Sequence, residues 1–315
     1  MAPDVFASRV ERGEAVASIV VDPRWGFRRL EEVPTESELG AFYESRYRDH
    51  IDAAGRAPDL ARLKRSGPDA ERERAWLAHT LHADVIAAAD RAAAEGLPRR
   101  ALDIGAGTGD LVLALTAAGW DAVGTEPAVG LAEVGQAAGA RVEGVSAATF
   151  VDRWRTSRGR PFSAISLMNV LEHVPAPVTL LEITLEMLAP GGRLIVRVPN
   201  DFSPLQEASC AALGRDPWWI AIPDHINYFN HTSIAALLVA LGLEIVEQSA
   251  DYPMELFLLG GEDYTTDAAV GARVHERRRR TELALSAEIR RRLGRAWAEA
   301  GVGRNVFVVA RSSAS

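Results

Sequence analysis

The sequence predicts an α/β fold in which a mostly parallel sheet carries helices on both faces. Apolar runs typical of buried strands alternate with helical patterns between residues 97 and 311, as in parallel sheets with crossover helices. The first of these runs enters a glycine-rich turn and then a helix, a connection that often binds ligands. The 315 residues, 48% hydrophobic and 25% charged, suffice for one large core with additions.

The amino-terminal segment, residues 1–75, is expected to form a cap on this core. It holds a strand-like stretch at 17–21 and several proline breaks. A helical pattern at 36–51 places four large side chains on one face, namely Leu39, Phe42, Tyr43 and Tyr47. Such a stripe predicts a helix that packs against the core.

An alanine-rich helix at 74–95 leads into the first strand, which ends at Ile104. Glycines follow at alternate positions, Gly105, Gly107 and Gly109. Glycine lets the backbone turn sharply and approach a ligand, and a helix begins at once with Asp110. A dinucleotide-binding fingerprint would need its third glycine at position 110, so the sequence misses that pattern by one place. A plain strand-to-helix turn is the alternative.

The second strand, predicted at 120–125, ends at Glu126. An ionised carboxylate at this tip offers two acceptor oxygens to the two donors of a vicinal diol. The alternative is a solvated acid in a turn beside Pro127.

Three further strands of the sheet are predicted, at 141–144, 162–168 and 193–200. A helix predicted at 178–188 ends at the Pro-Gly-Gly sequence of 190–192, because glycine releases a helix and proline cannot extend one. A further helix is predicted at 232–241.

Two stretches resemble the class I S-adenosylmethionine-dependent methyltransferases. They are Leu-Asp-Ile-Gly-Ala-Gly-Thr-Gly at 102–109 and Asn-Val-Leu-Glu-His-Val at 169–174. The Leu-Ala-Pro-Gly-Gly and Val-Pro-Asn sequences around the fifth strand are also similar to small-molecule members, and the likeness covers residues 97–311. The resemblance implies a Rossmann-like seven-stranded sheet with an antiparallel last strand. Residues 243–248 and 305–310 are the candidates for its sixth and seventh strands. It also implies S-adenosylmethionine as cofactor and methyl transfer to an oxygen or nitrogen of a small-molecule acceptor.

The resemblance further assigns residues to the cofactor. Glu126 would hold the ribose hydroxyls, and the adenine would rest near Val145 and Ser146. A helix of the cap would fold over the cofactor with Tyr43 or Tyr47. The full set of expected contacts is Asp103, Gly105, Ala106, Gly107, Gly109, Glu126, Pro127, Val145, Ser146, Asn169, Val170, Tyr43 and Tyr47.

Two segments exceed what the minimal fold requires, and both follow carboxyl ends of strands, where open parallel sheets bind ligands. They are the acceptor loop, residues 201–230, and a helical insertion or lid at 251–304. The predicted division is a cap at 1–75, a core at 76–250, the insertion at 251–304 and the last strand with its tail at 305–315. Side chains expected to bind the acceptor are Trp218, Trp219, Asp224, Asn227, Tyr228 and Tyr264.

Methyl transfer from a sulfonium is an in-line displacement, so the enzyme must align the acceptor, exclude water and deprotonate a nucleophile that carries a proton. His225 in the acceptor loop is the candidate general base, and His173 after the fourth strand competes with it. The alternatives are a structural loop histidine for His225 and a pocket wall for His173. Asp201, Asp224 and Glu172 lie in these loops without forming a clustered motif, so no metal site is predicted.

Composition narrows the function classes. The formal net charge of -8 argues against nucleic-acid binding, and no apolar run is long enough to span a membrane. A start without a signal-peptide pattern and a single cysteine, Cys210, predict a cytoplasmic protein. Arginine-rich helical stretches at 275–280 and 290–292 are expected to face water or a second copy in a homodimer. A noncatalytic cofactor-binding subunit and a protein methyltransferase are the alternative functions.

Overall fold

The computed structural model describes residues 18–35, 38–39, 67–222 and 224–312. Its strands are β1 (Ile19–Val21), β2 (Arg28–Leu30), β3 (Arg100–Ile104), β4 (Asp121–Thr125), β5 (Val142–Glu143), β6 (Phe162–Met168), β7 (Leu188–Pro199), β8 (Asn227–Tyr228), β9 (Glu244–Ala250) and β10 (Asn305–Arg311). Its helices are α1 (Pro68–Leu77), α2 (Ala83–Ala94), α3 (Asp110–Ala117), α4 (Val129–Ala137), α5 (Ala147–Thr156), α6 (Pro177–Glu186), α7 (Pro204–Leu213), α8 (His231–Ala240), α9 (Glu255–Leu259), α10 (Ala268–Ala284) and α11 (Ala287–Glu299). None of the helices in these ranges is both long enough and apolar enough to cross a membrane.

Seven strands form the central sheet in the order β5-β4-β3-β6-β7-β10-β9. The first five pair in parallel, whereas β10 pairs antiparallel with both β7 and β9. The predicted mostly parallel seven-stranded sheet with an antiparallel last strand is confirmed. Because β3, β4, β6 and β7 run in one direction, the loops after them meet at one edge of the sheet.

Helices cover the sheet on both faces, as the continuous apolar runs of its strands predicted. Successive residues of a strand point to opposite faces, and the core divides accordingly. Leu102 and Ile165 belong to an apolar cluster that includes Leu181 of α6, while the adjacent Ala101 and Ala164 belong to a second cluster under α2 and α3.

The helix predicted at 178–188 is α6, which ends at Glu186. The prediction that the Pro-Gly-Gly sequence of 190–192 marks its end is wrong, because this sequence lies inside β7. The pairing of β6 with β7 shifts register between Phe162 and Ala164, and Gly191 has a φ of 75°. The glycines therefore support an irregularity within a strand, which resembles a helix end when only the sequence is read.

The amino-terminal cap is described in part. The predicted helix at 36–51, with Tyr43 and Tyr47, lies outside the described residues except at 38–39. β1 and β2 form an antiparallel hairpin, and β2 also pairs with β8 of the acceptor loop. The cap and the acceptor loop thus share one three-stranded sheet.

The insertion between β9 and β10 is helical, but its arginines lie differently from the prediction. We expected its arginine-rich stretches to face water or a second copy, yet Arg278, Arg279 and Arg290 are buried. Arg279 donates to Glu73 of α1 at 2.7 Å, and Arg290 donates to both oxygens of Asp84, in α2, at 2.5 and 2.7 Å. The arginines can be buried because helices distant along the chain supply carboxylates that pair with them. The sequence pattern around the arginines does not reveal these partners.

Replacing Glu73 by alanine is expected to lower the free energy of unfolding by about 3 kcal/mol, because the buried Arg279 guanidinium loses its buried partner. Urea unfolding followed by circular dichroism measures the change. Asp69→Ala is the matched control, since Asp69 also pairs with Arg279 but its side chain is 55% exposed. The control should lose less than about 1 kcal/mol, and equal losses would contradict a buried clamp between α1 and α10.

Candidate active site

The glycine-rich turn between β3 and α3 is open at one point. Gly105, Gly107 and Gly109 have positive φ angles of 73°, 53° and 74°, which side chains disfavour. A Cβ on Gly105 would lie 2.6 Å from Val170 Cγ2, whereas a Cβ on Gly107 would meet nothing within 4 Å. The turn therefore packs against the loop after β6 and leaves space for a ligand at Gly107.

Glu126 follows β4 and holds this turn. Its Oε2 accepts from the N–H of Gly107 and its Oε1 from the N–H of Ala128, both at 2.9 Å. Burial raises the pKa of the Glu126 carboxyl, and the two backbone bonds oppose that shift. Each oxygen keeps a lone pair for a further donor. Pro127 lies exposed beside the carboxylate.

Asp103 supports the turn from inside the sheet. It is buried at the end of β3 and accepts a hydrogen bond of 2.6 Å from Ser166 Oγ. Burial raises the pKa of Asp103, the Ser166 bond lowers it, and the nearby Glu126 raises it again, to about 7. The N–H of Ala106 donates to the Thr125 carbonyl at 2.9 Å, which ties the turn to β4.

The predicted adenine contacts have other roles in the fold. Ser146 is exposed and caps α5, accepting from the N–H of Thr149 at 3.2 Å, while Val145 packs against the main apolar cluster. Tyr43 and Tyr47 are not among the described residues. Contact of these four side chains with a cofactor stays a prediction.

Asn169 follows β6 in the left-handed conformation, with a φ of 58°. Its amide nitrogen lies 2.9 Å from Glu172 Oε1 and 3.3 Å from Asn305 Oδ1, and its side-chain oxygen accepts from Arg197. Asparagine tolerates this conformation better than most residues. These bonds hold it, together with Val170, beside the glycine turn.

Sequence reasoning missed a buried ion-pair network behind Asn169. Asp251, after β9, accepts from Arg197 at 3.1 Å, Arg278 at 2.9 Å and the side chain of Asn305 at 2.7 Å. Burial alone would raise the pKa of Asp251, but the two guanidinium groups and Asn305 lower it to about 2. The partners come from β7, α10 and β10, so no local motif marks them.

The two candidate bases lie side by side, with ring centroids 4.9 Å apart and planes at 81°. Nδ1 of His173 lies 2.8 Å from the backbone oxygen of Asp224 and 3.4 Å from its carboxylate, and Nε2 lies 3.8 Å from Glu172 Oε1. Burial lowers the pKa of His173, but Asp224 and Glu172 overcome it and raise the pKa to about 9. His173 is therefore an imidazolium at neutral pH, whereas His225 is its edge-on neighbour.

Glu172, His173 and His225 bring atoms that could bind a metal within 4.8 Å of one another. The sequence predicted no metal site, and this grouping across two loops was not foreseen. A histidine must be deprotonated to bind a metal, and the carboxylates around His173 favour its protonated form. The contacts thus support a charge-paired histidine, and the lack of a metal stays a prediction.

Two of the expected substrate residues of the acceptor loop, both buried, hydrogen-bond to backbone carbonyl groups. Nδ2 of Asn227 donates to the carbonyl oxygens of Leu171 and Val174, at 2.9 and 2.7 Å, and the Tyr228 hydroxyl donates to the His225 carbonyl at 3.0 Å. These bonds join the acceptor loop to the loop after β6. Contact of either side chain with an acceptor stays a prediction.

The other expected acceptor residues differ in exposure. Trp219 is buried in the apolar cluster beside β8, and Trp218 is half-buried with its ring edge-on to Trp219. Tyr264 lies in the insertion, where burial and the nearby Glu255 raise its pKa. These three side chains and Asp224 remain predicted acceptor contacts.

The imidazole of His173 is expected to titrate near pH 9 in the folded chain, observed by NMR and assigned with His173→Gln. Because this pKa lies above the ordinary value of 6.5, the stabilisation from its charge is fully present below about pH 6.5 and disappears as the pH rises through about 9. The natural chain should therefore lose more unfolding free energy between these pH values than His173→Gln. Asp224→Asn should lower the pKa, and titration of His173 at or below pH 6.5 in the natural chain would contradict the ion pairing.

Comparison with known proteins identifies the family. Residues 77–248 match the family model described as a methyltransferase domain. The ubiquinone biosynthesis O-methyltransferase of Xylella fastidiosa strain 9a5c is 35% identical over 109 residues, which cover 32% of this chain and 42% of the relative. The match thus spans less than half of the length of that relative.

Two solved structures share the fold at low sequence identity. The plantazolicin methyltransferase BamL, solved with SAH and a triazolic desmethylPZN analog, has a TM-score of 0.51 at 10% identity, covering 87% of this chain and 94% of that one. Magnesium protoporphyrin IX methyltransferase (ChlM) from Synechocystis PCC 6803, solved with SAH, has a TM-score of 0.51 at 11% identity, covering 89% and 100%. Since the family model matches more than half of the chain, the protein belongs to the methyltransferase-domain family, with the class I fold that its motifs resemble.

Proposed function

We propose that this chain transfers a methyl group from S-adenosylmethionine to an oxygen or nitrogen of a small-molecule acceptor. One observation carries the proposal: the Glu126 carboxylate binds the N–H of Gly107 where the glycine turn is open, beside Asn169 and Val170. A carboxylate that keeps lone pairs for further donors, beside an open glycine turn, suits the ribose diol of an adenosine ligand. The O-methyltransferase name of the Xylella relatives supports the same reaction type.

The cofactor would lie along the carboxyl edge of the sheet. Glu126 would accept from the ribose hydroxyls with the lone pairs left free by its backbone bonds. Gly107 would let the cofactor approach the backbone, and Asp103 would orient the turn from below. Asn169 and Val170 would line the methionine side, while the adenine is assigned to Val145 and Ser146.

S-adenosylmethionine, when bound, supplies a methyl group that is attached to a positively charged sulfur. The sulfur leaves as a neutral thioether, so it needs no acid to help it depart. The residues of the chain need only align the acceptor, exclude water and accept a proton if the nucleophile carries one. We assign the last role to His225, because His173 already carries a proton between Glu172 and Asp224.

Glu126→Gln is expected to weaken binding of S-adenosylmethionine and of its demethylated product at least about tenfold, since a charge-assisted bond worth about 1.5–3 kcal/mol is lost. Isothermal titration calorimetry measures both affinities. Glu133→Gln, at an exposed position of α4, is the matched control and should bind like the natural chain. A natural chain that folds by circular dichroism but binds neither compound would exclude the proposed cofactor.

His225→Gln is expected to reduce kcat about 100-fold or more for an acceptor that must lose a proton, while cofactor affinity stays within about twofold. Release of the demethylated cofactor, followed across pH with a panel of alcohols, phenols and amines, measures the effect. His79→Gln, in the π-helix Ala78–His82 that joins α1 to α2, is the control. If the variant kept the rate and pH profile of the natural chain, His225 would not be the base.

A further inference from the structure

Three carboxyl groups on the acceptor side are almost completely buried. Glu172, Asp201 and Glu255 are 1%, 3% and 3% exposed. Each has one oxygen, Glu172 Oε2, Asp201 Oδ2 and Glu255 Oε2, that is buried without a hydrogen-bond partner among the described residues. Buried polar atoms without partners are rare and costly, so each of these oxygens calls for a donor that the described part of the chain does not supply.

The three carboxyl groups converge on one region. The carbonyl of Glu172 accepts from the N–H groups of Ile226 and Asn227, and the N–H of Asp201 donates to the carbonyl of Phe229. Glu172 and Asp201 therefore flank one short stretch of the acceptor loop, which spans about 10 Å when extended. Both Glu172 and Glu255 raise the pKa of Asp201, as carboxyl groups close to it would.

Glu255 reaches this region through helix packing. It begins α9, which packs against α7, and α7 begins three residues after Asp201. Arg304 acts on Asp201 and Glu255 from a distance and lowers the pKa of both, but the free oxygens bond to no cation in the described residues. The region thus has an excess of acceptor atoms, and burial raises the pKa of all three carboxyl groups because no cation bonded to these free oxygens stabilises their charged forms.

The region lies next to the proposed methyl-transfer point. Oε1 of Glu172 accepts from Asn169, which stands beside the glycine turn. We propose, resting on the function proposed above, that Glu172, Asp201 and Glu255 form the acceptor pocket, and that the acceptor is a small, hydroxyl-rich molecule carrying an amine. A protonated amine supplies several donors and a compensating charge at once, which neither a neutral hydrocarbon nor an anion does.

A divalent cation is the competing occupant, because Glu172 also lies in the group with His173 and His225. Asp201 and Glu255 lie outside that group, and their free oxygens would stay without donors if a metal filled it. An amine with hydroxyl groups satisfies the larger set of atoms.

The test uses the full chain saturated with demethylated cofactor, in phosphate buffer at pH 7. The probe is tris(hydroxymethyl)aminomethane, a hydroxyl-rich primary amine, and its neutral counterpart is pentaerythritol, which has a hydroxymethyl group in place of the ammonium. Isothermal calorimetry and thermal unfolding measure binding. We expect the amine to bind at least about tenfold more tightly than pentaerythritol, the difference of one charge-assisted interaction. Equal binding, or no binding of either compound, would overturn the proposal.

Asp201→Asn and Glu255→Gln keep the side-chain shapes and remove the charges. Each variant should weaken binding of the amine about tenfold, with affinity for the demethylated cofactor within about twofold, and Glu299→Gln, at an exposed position of α11, should change neither. Unchanged amine binding in both variants would overturn the proposal. So would magnesium or zinc chloride binding that depends on Glu172 while the amine fails to bind. Since binding of the demethylated cofactor is measured in the same samples, failure here is distinguishable from failure of the proposed function.

Discussion

The partly buried Asp251 carboxylate is the contact on which the geometry of the site depends. It brings together Arg197 of β7, Arg278 of α10 and the side chain of Asn305 at the start of β10. Because the Asp251 side chain is only 18% exposed, its charge depends on these partners, and moving α10 away would remove one of the two guanidinium groups. Arg197 also holds Asn169. The backbone beside the glycine turn is thereby tied to the helical insertion.

The acceptor loop is held in place by segments that are distant from it along the chain. β8 belongs to the acceptor loop, yet it pairs with β2 of the amino-terminal cap. The same loop is bonded to the segment after β6 through Glu172 and Asn227. The residues proposed to bind the cofactor therefore lie at the ends of strands of the regular sheet, whereas most of those proposed to bind the acceptor lie in additions to it. Such a separation suits folds in which one scaffold carries different specificities on its loops.

Sequence patterns predicted the regular part of the fold. They failed where the structure depends on contacts between residues that are distant along the chain. Apolar runs located central strands such as 162–168 and 193–200, because strands covered on both faces are apolar throughout, and the family resemblance indicated the last two strands. The Pro-Gly-Gly at 190–192 was misread, since glycine signals an irregular strand as well as a helix end. The arginines of α10 were placed in water, because their carboxylate partner Glu73 lies about 200 residues earlier in the chain.

The sequence by itself determined the sheet, the glycine turn and the acid Glu126 at the end of the second strand, because each depends on residue types at short, regular spacing. Only the tertiary structure decided which side chains share a site. It placed His173 between Asp224 and Glu172, which raise the pKa of its imidazole to about 9. It also placed Glu172 and Asp201 at the two ends of one short stretch of the acceptor loop. Charge and burial depend on neighbours that are distant along the chain, and short-range patterns do not encode those neighbours.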